Sequence, residues 1–317
     1  MKRQKNALLN QIGIAGKNIQ YDEQVKRVLS DKIILAWILK YSIHEFKNSF
    51  IEEIERAIEG TPEISVVPVY PGKTPEMITG MATEDKIPNE GEVRYDIRFA
   101  VFTPAKERVK LIVNIEAQKK YYPGYDLVTR AIFYCARMLS SQVDTEFSLP
   151  DYDGIKKVYS IWICMNVPDY AKNTITGYRI QPEYICGEFK GKARYDLLSA
   201  VMICLGNARE TSGDNPLTDM LSVLLSDKMG IDEKETCLHD NFGIETSVEM
   251  KEGLTTMCNL SYGIAEEAEQ KGREEGREKL ILQCLQSGKT CEQIAAFIGI
   301  SLDEVRDVEK KFLQTTK

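Results

Sequence analysis

Two stretches decide the fold: Val93-Arg94-Tyr95-Asp96-Ile97-Arg98-Phe99-Ala100-Val101 and Leu111-Ile112-Val113-Asn114-Ile115-Glu116-Ala117-Gln118. In the first, apolar side chains fall mainly on odd positions while Arg94, Asp96 and Arg98 take even ones. In the second, Leu111, Val113, Ile115 and Ala117 share one face, and Asn114, Glu116 and Gln118 share the other. An alternation of period two is the mark of a β-strand. Thr103-Pro104-Ala105-Lys106 supplies turn residues between them. Glu116 and Gln118 therefore project together, and antiparallel pairing of the two strands sets Asp96 beside them. Two readings stay open at this level. The carboxylates decorate the wet face of a hairpin, with Asp96 paired to Arg94 or Arg98, or they form a cradle for a hard cation such as Mg²⁺, which accepts a few carboxylate oxygens, water and substrate phosphate.

The order of residues carries a further signal. Tyr95-Asp96-Ile97-Arg98-Phe99, then Asn114-Ile115-Glu116-Ala117-Gln118, then Tyr122-Pro123-Gly124-Tyr125-Asp126-Leu127-Val128-Thr129-Arg130 and Tyr134-Cys135-Ala136-Arg137-Met138 resemble the PD-(D/E)XK nuclease family transposases, relatives of the recombination-promoting Rpn nucleases. The resemblance runs from about Asp31 to the C-terminal helices and is most specific between Asp96 and Gln142. It implies an α/β fold with a restriction-endonuclease-like mixed sheet core flanked by helices, and a helical C-terminal tail. It also implies a Mg²⁺-dependent DNA endonuclease, with Mn²⁺ as the alternative metal. Asp96 and Glu116 would be the metal ligands, and Gln118 would stand where the family motif ends in lysine. Glutamine orients water by hydrogen bonding but carries no charge, so Lys119, Lys120 or the metal must supply more of the electrostatic work. The superfamily often adds a helix-borne acid, for which Asp31, Glu45, Glu52 and Glu53 compete. A catalytically inactive descendant that binds DNA or protein is the competing outcome.

Composition bounds these readings. The 317 residues hold 41 basic and 48 acidic side chains, so no global positive field advertises nucleic acid, and any DNA contact must be local. Eight scattered cysteines without a Cys-X-X-Cys pair, and only His44 and His239, argue against a zinc site and for reduced thiols in a cytoplasmic protein. The longest apolar run, Ile33 to Leu39, is far short of the roughly 20 residues that span a bilayer. The N-terminus lacks the apolar segment of a secretion signal, so neither membrane nor export is expected.

Along the chain, three parts are expected: an N-terminal arm over 1–30, a nuclease-like domain over 31–260, and a helical linker with a helix-turn-helix-like tail over 261–317. The arm is read as loosely ordered to Tyr21, and its Lys2, Arg3, Lys5 and Lys17 are cations within reach of a phosphate backbone. Asp31 opens a helix, and Ser49, Glu52 and Glu53 suggest a second to Ile58. Gly60 to Gly91 is a Pro- and Gly-punctuated connection in which Glu84 is an extra candidate metal ligand. A helix over about Asp126 to Gln142 follows the aromatic turn, making Lys119, Arg130, Tyr134 and Gln142 candidate substrate-binding residues. The competing role for Arg130 is an ion pair with Asp126 or Glu116. Val158 to Met165 is almost continuously apolar and reads as a central strand. Helices are expected near Tyr195 to Leu205 and Leu217 to Met229. In the tail, Thr290-Cys291-Glu292-Gln293 and Ser301-Leu302-Asp303-Glu304 are capping boxes on either side of Gly299. The acids Asp303, Glu304, Asp307 and Glu309 disfavour phosphate contact there, which favours docking or self-association through these helices over DNA reading.

Overall fold

In the computed structural model of the chain, residues 2–64, 84–87, 91–104, 110–208 and 215–315 are described. The elements in order are α1 (Lys2–Leu29), α2 (Lys32–Ser42), α3 (Ile51–Ala57), β1 (Glu63–Ile64), β2 (Glu84–Ile87), β3 (Gly91–Arg94), β4 (Ile97–Phe102), β5 (Lys110–Lys120), α4 (Leu127–Ser140), β6 (Lys157–Asn166), β7 (Thr174–Arg179), β8 (Leu198–Cys204), α5 (Pro216–Leu224), α6 (Ile231–Phe242), α7 (Val248–Gln286), α8 (Cys291–Ile298) and α9 (Leu302–Thr315). They fall into two compact units. One spans Asn18–Leu260, and the other joins Met1–Lys17 to Ser261–Lys317.

The larger unit is α/β, built on a mixed sheet in the order β1-β4-β5-β6-β8-β7 and flanked by helices. β4 and β5 pair antiparallel, while β5, β6 and β8 run parallel. A parallel neighbour requires a crossover rather than a tight turn, and α4 provides it between β5 and β6. The same helix lies against β6 and β8. Its Leu127, Ala131, Cys135 and Met138 recur at helical spacing and pack with Ile112, Val158, Trp162, Ala200 and Met202. Burying each such side chain contributes about 1.5–3 kcal/mol. Asp126 caps the helix by accepting the Val128 N–H at 2.8 Å.

Several expectations change. Val93 to Val101 is not one strand: β3 pairs with β2 in a separate ribbon, and Tyr95-Asp96 form a bend before β4. The face of β5 bearing Asn114 and Glu116 is buried rather than wet, because α4 covers it and β6 adjoins it. The segment Tyr195 to Leu205, expected as a helix, contains β8, a buried parallel strand. Its continuous apolar run suits either element, and periodicity alone does not separate them. β7, an edge strand antiparallel to β8, lies between the segments to which the sequence assigned elements, and α6 lies beyond the helices expected. The second helix begins at Ile51, and Glu53 accepts the Phe50 N–H, so the cap is one residue later than Ser49. Asp31 caps α2 as expected, through the Ile33 N–H at 3.0 Å.

The stretch to Tyr21, read as loosely ordered, is helical: α1 runs from Lys2 to Leu29, and Tyr21, Val25, Val28 and Leu29 are buried. Their spacing of four, three and one places them on one helical face.

In the smaller unit, α8 carries the Thr290–Gln293 capping box and ends at Gly299, whose φ of 73° is the left-handed cap conformation. Ser301 Oγ accepts the Glu304 N–H at the start of α9. Ile281, Cys284, Ile294, Val305 and Val308 close a small core between the end of α7, α8 and α9. No described helix is long and apolar enough to cross a membrane, and all eight cysteines are free thiols.

Candidate functional site

Ile97 sits opposite Ile115 and Arg98 opposite Asn114, and the same register carried one step further sets Asp96 opposite Glu116. Asp96 itself lies in the bend before β4, outside the paired ladder, and meets Glu116 from there. They are interlocked through the backbone. The Asp96 N–H donates to Glu116 Oε1 at 3.0 Å, and the Ala117 N–H donates to Asp96 Oδ2 at 3.2 Å. The bend at Asp96 makes this exchange available, since a residue within the ladder would spend its N–H on a strand partner.

Glu116 is only 4 % exposed. Burial, and then the neighbouring Asp96 charge, push its carboxyl well above the usual carboxylate range. Burial raises Asp96 as well, and the ammonium of Lys26 draws it part of the way back. Lys26 lies on α1 and is 4 % exposed. Its Nζ stands 2.9 Å from Asp96 Oδ1 and 2.9 Å from Asp22 Oδ2. Burial opposes its charge, but the two carboxylates more than offset this, and its pKa is raised. Lys26 is thus the cation that answers Asp96.

The remaining surroundings of Glu116 are aromatic and cationic. Arg130 Nη1 donates to Tyr125 Oη at 2.7 Å, and Nη2 and Nε donate to Tyr134 Oη at 2.5 and 3.1 Å. The guanidinium also lies 5.2 Å from the Trp162 ring centroid and 5.0 Å from that of Tyr134. Its charge favours the ionised form of Glu116 from a distance, but its hydrogen bonds go to tyrosine hydroxyls and not to Asp126 or Glu116. Tyr134 packs edge-on against Tyr95, the residue before Asp96, at 5.3 Å. One row down the sheet, Asn114 Nδ2 and Trp162 Nε1 both donate to Ser160 Oγ.

Asp96, Glu116, Arg130 and Tyr134 are therefore brought together. Gln118 lies on the Glu116 face, half-buried, level with Cys164 of β6. Lys119 is exposed and, by strand alternation, on the opposite face, where its Nζ lies 4.6 Å from the Tyr21 ring centroid. Gln142 is not at the site. It is 1 % exposed and its amide is spent on backbone: Nε2 donates to the Met138 and Lys156 carbonyls, and Oε1 accepts the Lys156 N–H at 2.7 Å. Lys156 precedes β6, six positions before Trp162, which is level with Glu116. At about 3.3 Å per residue the separation is roughly 20 Å. Glu84 pairs with Arg94 in the β2–β3 ribbon, and its side chain lies outside the described residues.

None of the helix-borne acids expected reaches Asp96. Asp31 is a cap, Glu53 accepts the Phe50 N–H, and Glu52 is exposed on the first turn of α3. Glu45 binds Lys157 Nζ at 2.9 Å and accepts the Tyr159 hydroxyl at 2.6 Å, at the far end of β6. The helical residues at the site are Asp22 and Lys26. Their spacing of four on a helix with a buried apolar stripe was the available signal.

Two neighbouring carboxylates suit a magnesium ion, which commonly takes one or two carboxylates and completes its shell with water and phosphate. Lys26 answers the Asp96 charge and burial keeps the Glu116 proton in place, so a cation bound here has to displace that proton. Among the described residues no group of three or more His, Cys, Asp or Glu side chains forms a fuller cage. Set against protein-family models, curated proteins and solved structures, the chain matches none of them.

Proposed function

We propose that the protein is a magnesium-dependent endonuclease that hydrolyses DNA phosphodiester bonds, of the PD-(D/E)XK transposase and Rpn kind it resembles, on a restriction-endonuclease-like core. The observation that carries this reading is the Asp96–Glu116 pair: two adjacent carboxylates, Glu116 buried and Asp96 half-buried, at the carboxyl end of β5, locked by reciprocal backbone contacts. Asp96 and Glu116 hold the metal, Mg²⁺ or Mn²⁺. When bound there, the ion lowers the pKa of an attacking water and neutralises phosphate charge. Glu116 must surrender its proton for this, so metal affinity rises with pH. Gln118 aligns the water through its side-chain amide. Lys26, fixed beside Asp96, supplies the positive charge that a lysine at position 118 would have brought. Arg130, held by Tyr125 and Tyr134, keeps a positive field over Glu116. The eight free thiols accord with a cytoplasmic location, and the acidic α8–α9 pair serves for docking or self-association.

The competing reading, a non-catalytic binding module, draws on one observation: Asp96 already has a lysine partner while position 118 carries no charge. Incubation of supercoiled plasmid with the protein in Mg²⁺ or Mn²⁺ separates the two. The nuclease nicks the plasmid, stops on addition of chelator, and is inactive as Asp96→Ala. A parent protein without metal-dependent nicking, or an Asp96→Ala variant that cuts as fast, overturns the proposal.

A further inference from the structure

At the carboxyl ends of β5, β6 and β8, on the side of β5 away from the acid pair, lies a cavity of about 390 Å³. That is within the roughly 300–1,000 Å³ of small-ligand sites, and open α/β sheets characteristically bind ligands at this edge. Separate segments line it: Tyr21 from α1, Lys119 from β5, Asn166 from β6, and Ser222, Asp227 and Lys228 from α5 and the turn after it. Lys119 directly follows Gln118, so the cavity and Glu116 lie on opposite faces of the same strand end.

The lining combines two ammonium groups, which suit a phosphate, with the amides of Asn166 and Asn207 and a carboxylate, which suit the donors and acceptors of a base or sugar. Lys119 is steadied over the Tyr21 ring, whose hydroxyl donates to the Leu225 carbonyl. Ser222 adds an independent observation. It is 6 % exposed, and its Oγ is buried without a hydrogen-bond partner. A buried hydroxyl left unpaired is costly, and native structures rarely keep one without a purpose.

We infer that this cavity seats one unpaired nucleotide beside the phosphate to be cut, so that the substrate is single-stranded or locally unpaired DNA. A base within a duplex has its edge occupied by its partner and does not enter such a cavity without leaving the stack. The inference rests on the nuclease reading for its second clause alone, and the test divides accordingly.

The full chain, free of metal, is titrated calorimetrically with each of the four deoxynucleoside 5′-monophosphates, with the deoxynucleosides and with inorganic phosphate. The monophosphates bind more tightly than either fragment. Lys228→Glu weakens them about tenfold, the scale of a lost charged hydrogen bond, and Ser222→Ala about fivefold, that of a neutral one. Ser222→Ala without ligand melts no lower than the parent, which distinguishes a lost ligand contact from damage to the fold. Failure of all four monophosphates to bind, phosphate binding as tightly as they do, or parental affinity in both variants overturns the cavity assignment. In a second arm, one sequence is offered with Mg²⁺ as single strand and as duplex. Faster cutting of the single strand supports the substrate class, and equal rates overturn it. Nucleotide binding without cutting of any DNA supports the cavity and sinks the nuclease reading instead.

Discussion

Replacing Lys26 with methionine tests whether the ammonium beside Asp96 stands in for the cation that the acid pair requires. Methionine keeps much of the length and apolar character of the lysine stem, so the change removes charge more than packing. It breaks two ion pairs, and the one to Asp22 is with a carboxylate 44 % exposed, worth at most about 1 kcal/mol. The pair with Asp96 joins side chains 5 % and 19 % exposed. Breaking a buried pair by removing one partner costs about 3–5 kcal/mol, and the residual exposure of Asp96 places this one near 3 kcal/mol. Lys26→Met therefore destabilises the larger unit by roughly 3 kcal/mol near neutral pH, and by less in acid, where the abandoned carboxyl takes up a proton. Magnesium at about a hundredfold above its dissociation constant restores about 2.7 kcal/mol, and the metal-induced shift exceeds that of the parent because the competing ammonium is gone. Urea unfolding followed by tryptophan fluorescence reads this unit selectively, since Trp37 and Trp162 both lie within it. A Lys26→Met protein within about 0.5 kcal/mol of the parent, or one whose midpoint magnesium moves no further than the parent's, would falsify the stand-in role.

Other outcomes follow from the same geometry. Because the folded protein holds Glu116 protonated above the ordinary carboxylate pKa, stability from this group is full below the unfolded value and is lost as pH rises through the raised folded value. Glu116→Gln therefore flattens the decline of the metal-free urea midpoint as pH rises above the ordinary carboxylate range, and an unchanged slope contradicts the assignment. Gln142→Ala leaves the Lys156 N–H and two carbonyls without their partner, which lowers stability by about 1–3 kcal/mol. Its metal-dependent nicking per folded molecule stays at the parental rate, and a selective loss of nicking would return Gln142 to the site. Gly299→Ala forces a φ of 73° on a residue with a Cβ, costing about 1–2 kcal/mol. The loss is confined to the smaller unit, so hydrogen exchange quickens in α8 and α9 while the tryptophan-reported midpoint stays put.

Local periodicity carried much of the architecture. Alternation in Leu111–Gln118 placed Glu116 and Gln118 on one face, and the apolar run Val158–Met165 gave a central strand. The capping signals at Asp31 and Thr290 gave helix starts. These features depend on neighbours in sequence, and a chain writes them directly. β8 escaped because a continuous apolar run suits a buried strand and a buried helix equally, and only its neighbours β6 and β7 decide between them. Gln142 was misplaced because its shared helix with Arg130 says nothing about which end of the sheet that helix end reaches.

The sequence by itself determined that Asp96 and Glu116 could face one another, since side-chain direction in paired strands has a fixed period of two. Tertiary structure alone decided what surrounds them. Folding brings Lys26 of α1 to Asp96 across seventy positions of sequence and lays α4 over Glu116, taking that acid out of water. Charge compensation acts through space over a few ångströms, and no local pattern records which distant cation arrives there.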